Sequence, residues 1–252
     1  MDSSPSRTIT LPGAIIIAGA IIAVAIIWVK QPVKAPANVN AATALQNAQS
    51  GQINMRDVSG SDHILGNPNA PIKIVEYSDP SCPYCKSFNP TMEQIMADYG
   101  SSGKVAWVYR SFPLDKPDAD GNILHKNAGH ESQALECAAS LGGNDKFWAF
   151  EKQLYQITPS VTSATPNGLD QNQLPVIAKS VGIDTTAFNN CLSSGQFQSK
   201  VEADYTDGLN VGVSGTPYSV LVTPAGNKIP MAGAEPYTTL KAAIDALLAG
   251  NN

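Results

Sequence analysis

Charge is scarce in this sequence: 15% of its residues are Asp, Glu, Lys or Arg, and the formal net charge is -5. No basic block breaks that balance, so a surface that tracks phosphates has no support and nucleic acid is not an expected partner. Histidine is scarcer still, and the three present, His63, His125 and His130, do not fall at ligand spacing. Each reads as a hydrogen-bonding structural residue, His130 at the start of a helix. Also missing are a Ser-His-Asp order, a phosphate-cradling glycine loop, a Walker motif and any internal repeat. Cysteine is limited to four residues, and the pair Cys82 and Cys85 in SDPSCPYCKSF has no second close pair to complete a zinc site. What is present is apolar: 43% of 252 residues are hydrophobic, enough for one medium domain with accessory segments.

The N-terminal part differs in kind. LPGAIIIAGAIIAVAIIWV, residues 11–29, carries no charge and is long enough to cross a bilayer core of about 30 Å as a helix, with Trp28 at the interface. Ala35, Pro36 and Ala37 imitate a cleavage site, but the apolar run exceeds the ~7–15 residues of a signal peptide and a proline lies inside the site. An uncleaved anchor is therefore expected, behind a short segment at residues 1–10. Arg7 on one side faces Lys30 and Lys34 on the other, so charge alone does not orient it. Residues 30–60, rich in Ala, Asn, Gln, Pro and Ser, read as a tether, which leaves residues 61–252 for the folded domain.

PIKIVEY, residues 71–77, reads as a buried strand running into the cysteine segment. Phe88, Met92, Ile95, Met96 and Tyr99 then recur at helical spacing, with Pro90 expected to kink the helix. KVAWVYR, residues 104–110, reads as a second strand, and this strand-helix-strand order predicts a parallel pair with a right-handed crossover. Residues 124–209 are helical in pattern, interrupted by a loop at residues 158–168. A hairpin over residues 218–222 and 228–231 follows, Pro230 marking an edge strand. The last helix begins after Pro236, with Leu240, Ala243, Ile244, Leu247 and Leu248 on its apolar face. The expected class is α/β: a βαβ unit, a helical insertion at about 120–209, then ββα. Trp107, Phe147 and Trp148 read as core or groove lining.

Four cysteines can pair in three ways, and the sequence does not choose among them. A bridge between Cys82 and Cys85 would close a ring too small to constrain much unfolded-chain entropy, so reinforcement is a poor reason for the pair. At a helix start, by contrast, free N–H groups and the helix dipole stabilise a thiolate and improve it as a leaving group. A reactive pair is the expectation.

VEYSDPSCPYCKSF and GVSGTP, set in the βαβ/ββα frame, resemble the thioredoxin superfamily. LECAASLGGNDKFW and FNNCLSSGQF resemble its DsbA-like thiol:disulfide oxidoreductases, particularly membrane-tethered extracytoplasmic members, and the likeness covers about residues 63–248. The resemblance implies a thioredoxin-like fold in which Cys82 is the exposed nucleophile and Cys85 the buried resolving thiol, with Pro83 and Tyr84 tuning the pair. It implies that Pro217 is a cis-proline, that Thr216 meets the substrate backbone, and that Glu76 is a buried acid accepting or relaying the Cys85 proton. It further implies a structural disulfide between Cys137 and Cys191, worth roughly 4 kcal/mol in a chain-entropy treatment. The Pro83-Tyr84 dipeptide departs from the Pro-His of the best-known strong oxidants and resembles that of many glutaredoxins, so oxidising strength is not carried over.

The activity implied is donation of the Cys82–Cys85 disulfide to reduced or unfolded proteins outside the cytoplasm, since a cytosolic thiol pool would keep a donor reduced. That orients the anchor with its N-terminus inside, in a bacterial plasma membrane, the C-terminal domain extracytoplasmic. A DsbB-like or VKOR-like membrane oxidase would recycle the pair, and no metal, flavin or nucleotide cofactor is implied. Two alternatives stand beside it: an extracytoplasmic reductase or isomerase, and a non-catalytic peptide-binding or chaperone module on the same fold.

Overall fold

The computed structural model describes residues 53–118, 120–159 and 168–250. The expected anchor at residues 11–29 and the tether up to residue 52 lie outside them, as does most of the expected loop at residues 158–168. Among the described residues no helix is long and apolar enough to cross a membrane.

Five strands form one mixed sheet: β1 (His63–Gly66), β2 (Ile72–Ser78), β3 (Val105–Ser111), β4 (Tyr218–Val222) and β5 (Lys228–Ala232), in the order β1-β3-β2-β4-β5. β2 is central. It runs parallel to β3, with Glu76 opposite Tyr109, and antiparallel to β4, with Glu76 opposite Ser219. Both of its faces are covered, since Ile72 and Ile74 pack into one hydrophobic cluster and Val75 and Tyr77 into another, and all four are fully buried. β5 is an edge strand, and Pro230, which has no N–H to donate, is accommodated there opposite Val220.

β1 was not expected. Its four residues, HILG, pair antiparallel with β3 and are too few to show an alternating pattern. The chain just before it is packed as well: Met55 is buried, Ile53 and Val58 lie against the cluster of Val75, Tyr77 and Val220, and the Arg56 N–H donates to Asp207 Oδ1 at 2.8 Å. Residues 53–60, read from composition as tether, therefore belong to the packed domain.

The helices are α1 (Pro83–Ile95), α2 (Ala128–Gly142), α3 (Asn144–Ile157), α4 (Leu174–Ser180), α5 (Thr185–Ser194), α6 (Gln198–Val211) and α7 (Tyr237–Ala249). α1 runs through Pro90 into a π-helical turn at Met96–Gly100 and buries Cys85, Phe88, Asn89, Met92 and Ile95. The insertion α2–α6 shares one hydrophobic core with the sheet, since Leu135, Phe147, Phe150 and Phe188 cluster with Phe88, Met92 and Trp107. Its first helix begins at Ala128, so Leu124 and its neighbours form a loop, and His130 lies in the first turn of α2. Cys137 and Cys191 join α2 to α5 as a disulfide with a Cα–Cα distance of 5.9 Å.

A buried polar network fastens the second cluster. Arg110 on β3 donates from Nε to Asp62 Oδ1 at 2.9 Å and from Nη1 to Asp207 Oδ2 at 2.7 Å, and the Tyr77 hydroxyl also donates to Asp207. A buried guanidinium requires such partners, and here they come from the N-terminal segment and from α6.

Candidate active site

β2 ends at Ser78 and the chain turns into α1, placing Cys82 as the N-cap with φ -75 and ψ 124. Pro83 occupies the first turn, where a missing N–H costs nothing. Cys82 and Cys85 stand as free thiols. Cys82 was expected to be exposed, yet it is 3% exposed and Cys85 is 0%, because Tyr155 of α3 packs against both and the segment before β4 covers Cys82. Tyr84 between them is 68% exposed.

That covering segment carries the cis peptide bond Thr216–Pro217. It brings the Thr216 carbonyl to 3.4 Å from Cys82 Sγ, which donates to it, while the Thr216 hydroxyl is buried without a partner. The Cys82 thiol is lowered to about 6, first because the Cys85 thiol donates to its sulfur; burial opposes, and the Cys85 backbone N–H assists. No side chain caps this helix, so that N–H stays available for charge on the sulfur. Burial pushes Cys85 the other way, well above the ordinary thiol range, with the charges of Cys82, Glu76 and Asp79 adding to it. The pair is thereby split into one thiolate and one thiol.

Glu76 is buried on β2. Its Oε1 accepts from Ser78 Oγ at 2.6 Å and its Oε2 from Trp107 Nε1 at 2.9 Å. Burial pushes its carboxyl up to about 7, against the pull of those two donors and with a further push from Cys82. A carboxyl poised near neutrality can both give and take a proton. Trp107, read as core or groove lining, lies in the core with Phe147 and Trp148 and also holds Glu76 through its indole N–H.

Several residues of the site escaped sequence reading. The Tyr155 hydroxyl lies 2.9 Å from Ser78 Oγ and donates to the Asp79 carbonyl at 3.2 Å, so the insertion touches the acid through Ser78. The Asp79 carboxylate accepts from the Ser81 N–H at 2.7 Å and the Leu114 N–H at 2.8 Å, and lies 2.8 Å from His125 Nδ1. Burial lowers His125, but Asp79 outweighs it and the imidazole is raised overall. Ser81 Oγ donates to buried Glu131 at 2.6 Å, and Asn89 to buried Glu151 at 2.6 Å. Asp79 adjoins the cysteine motif and was open to inspection; Tyr155 and His125 carry no local signal because their contacts are distant in sequence. His63 pairs with Glu136 and His130 with Gln171. The Cys137–Cys191 disulfide is likewise a separate feature. Among the described residues no group of His, Cys, Asp and Glu could hold a metal ion.

The thioredoxin family model matches residues 58–246. A probable disulfide bond formation protein D of Bacillus anthracis is 31% identical over 184 residues, 72% of this chain and 76% of that protein. Oxidised BdbD from Bacillus subtilis superposes with a TM-score of 0.64 at 23% identity, covering 79% of this chain and 98% of that one, a likeness of fold. The Na(+)/H(+) antiporter NhaA 1 of Mycolicibacterium gilvum (strain PYR-GCK) is 32% identical over 94 residues, or 37% of this chain. The chain spans only 13% of that antiporter's length.

Proposed function

The chain belongs to the thioredoxin family, and from that premise we propose that it is a protein thiol:disulfide oxidoreductase that donates the Cys82–Cys85 disulfide to reduced proteins outside the cytoplasm. The observation that carries the reading is the geometry of the pair: Cys82 stands at the N-cap of α1 against the cis Thr216–Pro217 segment with Cys85 buried one turn on, an arrangement that lowers the first thiol, to about 6, and raises the second. A thiolate at pH 7 stabilises the dithiol state and so makes the disulfide a better oxidant. Against a thiol of pKa 9.0, a value of about 6 adds ~1.4 kcal/mol at pH 7, or ~30 mV for a two-electron couple.

A substrate thiolate attacks Cys82 Sγ, the bond to Cys85 breaks, and Cys85 leaves with a proton drawn from Glu76. A second substrate thiolate attacks the substrate sulfur of the mixed disulfide, and Cys82 departs as the stabilised thiolate. The substrate dithiol loses two electrons, which go to the two cysteine sulfurs, and two protons: one restores Glu76 after its transfer to Cys85, and the other is released from the pair, Cys82 remaining a thiolate. Thr216, in contact with Cys82, would pair with the substrate backbone, with Pro217 holding that segment in place. Pro83 and Tyr84 tune the pair.

The Bacillus anthracis relative, a probable disulfide bond formation protein, supports this direction, and the uncharged apolar sequence of residues 11–29 supports a single-pass anchor in a bacterial plasma membrane with the domain outside. A DsbB-like or VKOR-like oxidase would then re-oxidise the pair. Thiol trapping in intact cells tests the direction: a donor is found mostly oxidised, and a mostly reduced pair would make it a reductase or isomerase. Full substrate oxidation by Cys82→Ser would leave only a peptide-binding or chaperone module.

A further inference from the structure

We infer that His125, held by Asp79 beneath the active-site turn, is a positioning residue whose positive charge is coupled to the Cys82 thiolate, so that reduction of the pair draws a proton onto this imidazole. The inference rests on the exchange chemistry proposed above and is independent of its direction.

The geometry is that of a buried latch. Asp79 reaches both cysteines through its backbone: its carbonyl accepts the Cys82 N–H at 3.0 Å, and its N–H lies 3.5 Å from Cys85 Sγ. Its carboxylate is fully buried and lies 2.8 Å from His125 Nδ1, itself buried. His125 is fixed at both ends of its own backbone, its N–H donating to Leu114 O at 2.9 Å and its carbonyl accepting from the Ala128 N–H at 3.1 Å. Leu114 in turn donates to the same Asp79 carboxylate at 2.8 Å, so the carboxylate, the loop and the imidazole share one set of hydrogen bonds.

Charge gives the latch a use. Asp79 beside the pair opposes thiolate formation at Cys82 and at Cys85. The cysteine motif itself offers little remedy: Tyr84 points to solvent, and Lys86 Nζ is engaged by the carbonyls of Gln156 and Thr158. His125 is the basic side chain paired with Asp79. The acidic groups facing it are Asp79 from the turn, Cys82 from the start of α1 and Glu131 from α2, while Asp115 lies near Asp79. Asp79, Cys82 and Glu131 favour the imidazolium once Cys82 ionises. Coupling of this kind is reciprocal, so an imidazolium that is favoured by the thiolate must favour the thiolate equally.

On reduction, two electrons from a substrate dithiol enter the Cys82–Cys85 bond. Cys85 binds one of the two protons released, and the charge left on Cys82 is matched by a proton taken up at His125.

The test uses the full chain and two readouts. Proton NMR of the imidazole, assigned against His125→Asn, should titrate at higher pH in the reduced protein than in the oxidised one. The Cys82 thiolate, followed by its ultraviolet absorbance, should lose ~3- to 10-fold in its ionisation constant in His125→Asn, the size expected of one nearby partly screened charge. The two shifts should agree in factor. An imidazole with the same midpoint in both redox states overturns the inference, and that measurement needs only the unsubstituted protein, so an unstable variant does not rescue it. A pair that exchanges disulfides in solution yet is found reduced in cells refutes the donor reading and leaves this coupling standing.

Discussion

Replacing Cys85 by alanine removes the thiol that donates to the Cys82 sulfur and keeps the backbone N–H at the same helix position. The Cys82 thiol is lowered from 9.0 to about 6, a difference of about three units or ~4 kcal/mol. The Cys85 donor is its largest cause, and a hydrogen bond to a charged group is worth ~1.5–3 kcal/mol, or about one to two units. Cys85→Ala should therefore titrate Cys82 near ~7–8, and the thiolate fraction at pH 7 should fall from about nine-tenths to about half or less. The assay is the ultraviolet absorbance of the thiolate against pH, cross-checked by the pH dependence of alkylation. A midpoint that stays near the original value would refute the assignment of the Cys85 thiol as the main stabiliser.

Glu76→Gln should stabilise the reduced protein at pH 8 by up to ~3 kcal/mol and leave it unchanged at pH 4 in chemical denaturation. The sign follows from a folded value of about 7 against an ordinary 4.5: between these the native state holds a proton that the unfolded chain has lost. Stability thus falls as pH rises through that window, and the glutamine removes the loss; equal effects at both pH values would contradict the buried-acid reading. Replacing Cys137 and Cys191 together by serine opens a bridge across 54 residues and should cost ~4 kcal/mol by denaturant midpoint, whereas a loss below ~1 kcal/mol would show that the bridge constrains little. Arg110→Met leaves Asp62 and Asp207 short of their buried partner and should cost ~3–5 kcal/mol by denaturant midpoint, whereas a loss below ~1 kcal/mol would contradict a buried ionic network.

Strands β2 and β3, helix α1, the β4–β5 hairpin and helix α7 were legible because each carries its own periodicity or turn chemistry. β1 was not, since four residues define no period, and residues 53–60 owe their order to distant groups such as Asp207 and Lys228. The reactive cysteines were legible for the same local reason: a CxxC pair at a strand-to-helix junction announces itself. Its surroundings did not. Tyr155 meets Ser78 across 77 residues and His125 meets Asp79 across 46, and nothing in composition signals such contacts. The expectation of an exposed Cys82 erred similarly, because the cover comes from Thr216, 134 residues away.

The most direct test of the central claim is the reduction potential of the Cys82–Cys85 pair, measured by equilibration with glutathione redox buffers at pH 7. The account predicts a value above the ~ -270 mV of thioredoxin, on the side of the disulfide donors at ~ -180 mV and ~ -120 mV. A potential at or below ~ -270 mV would contradict it.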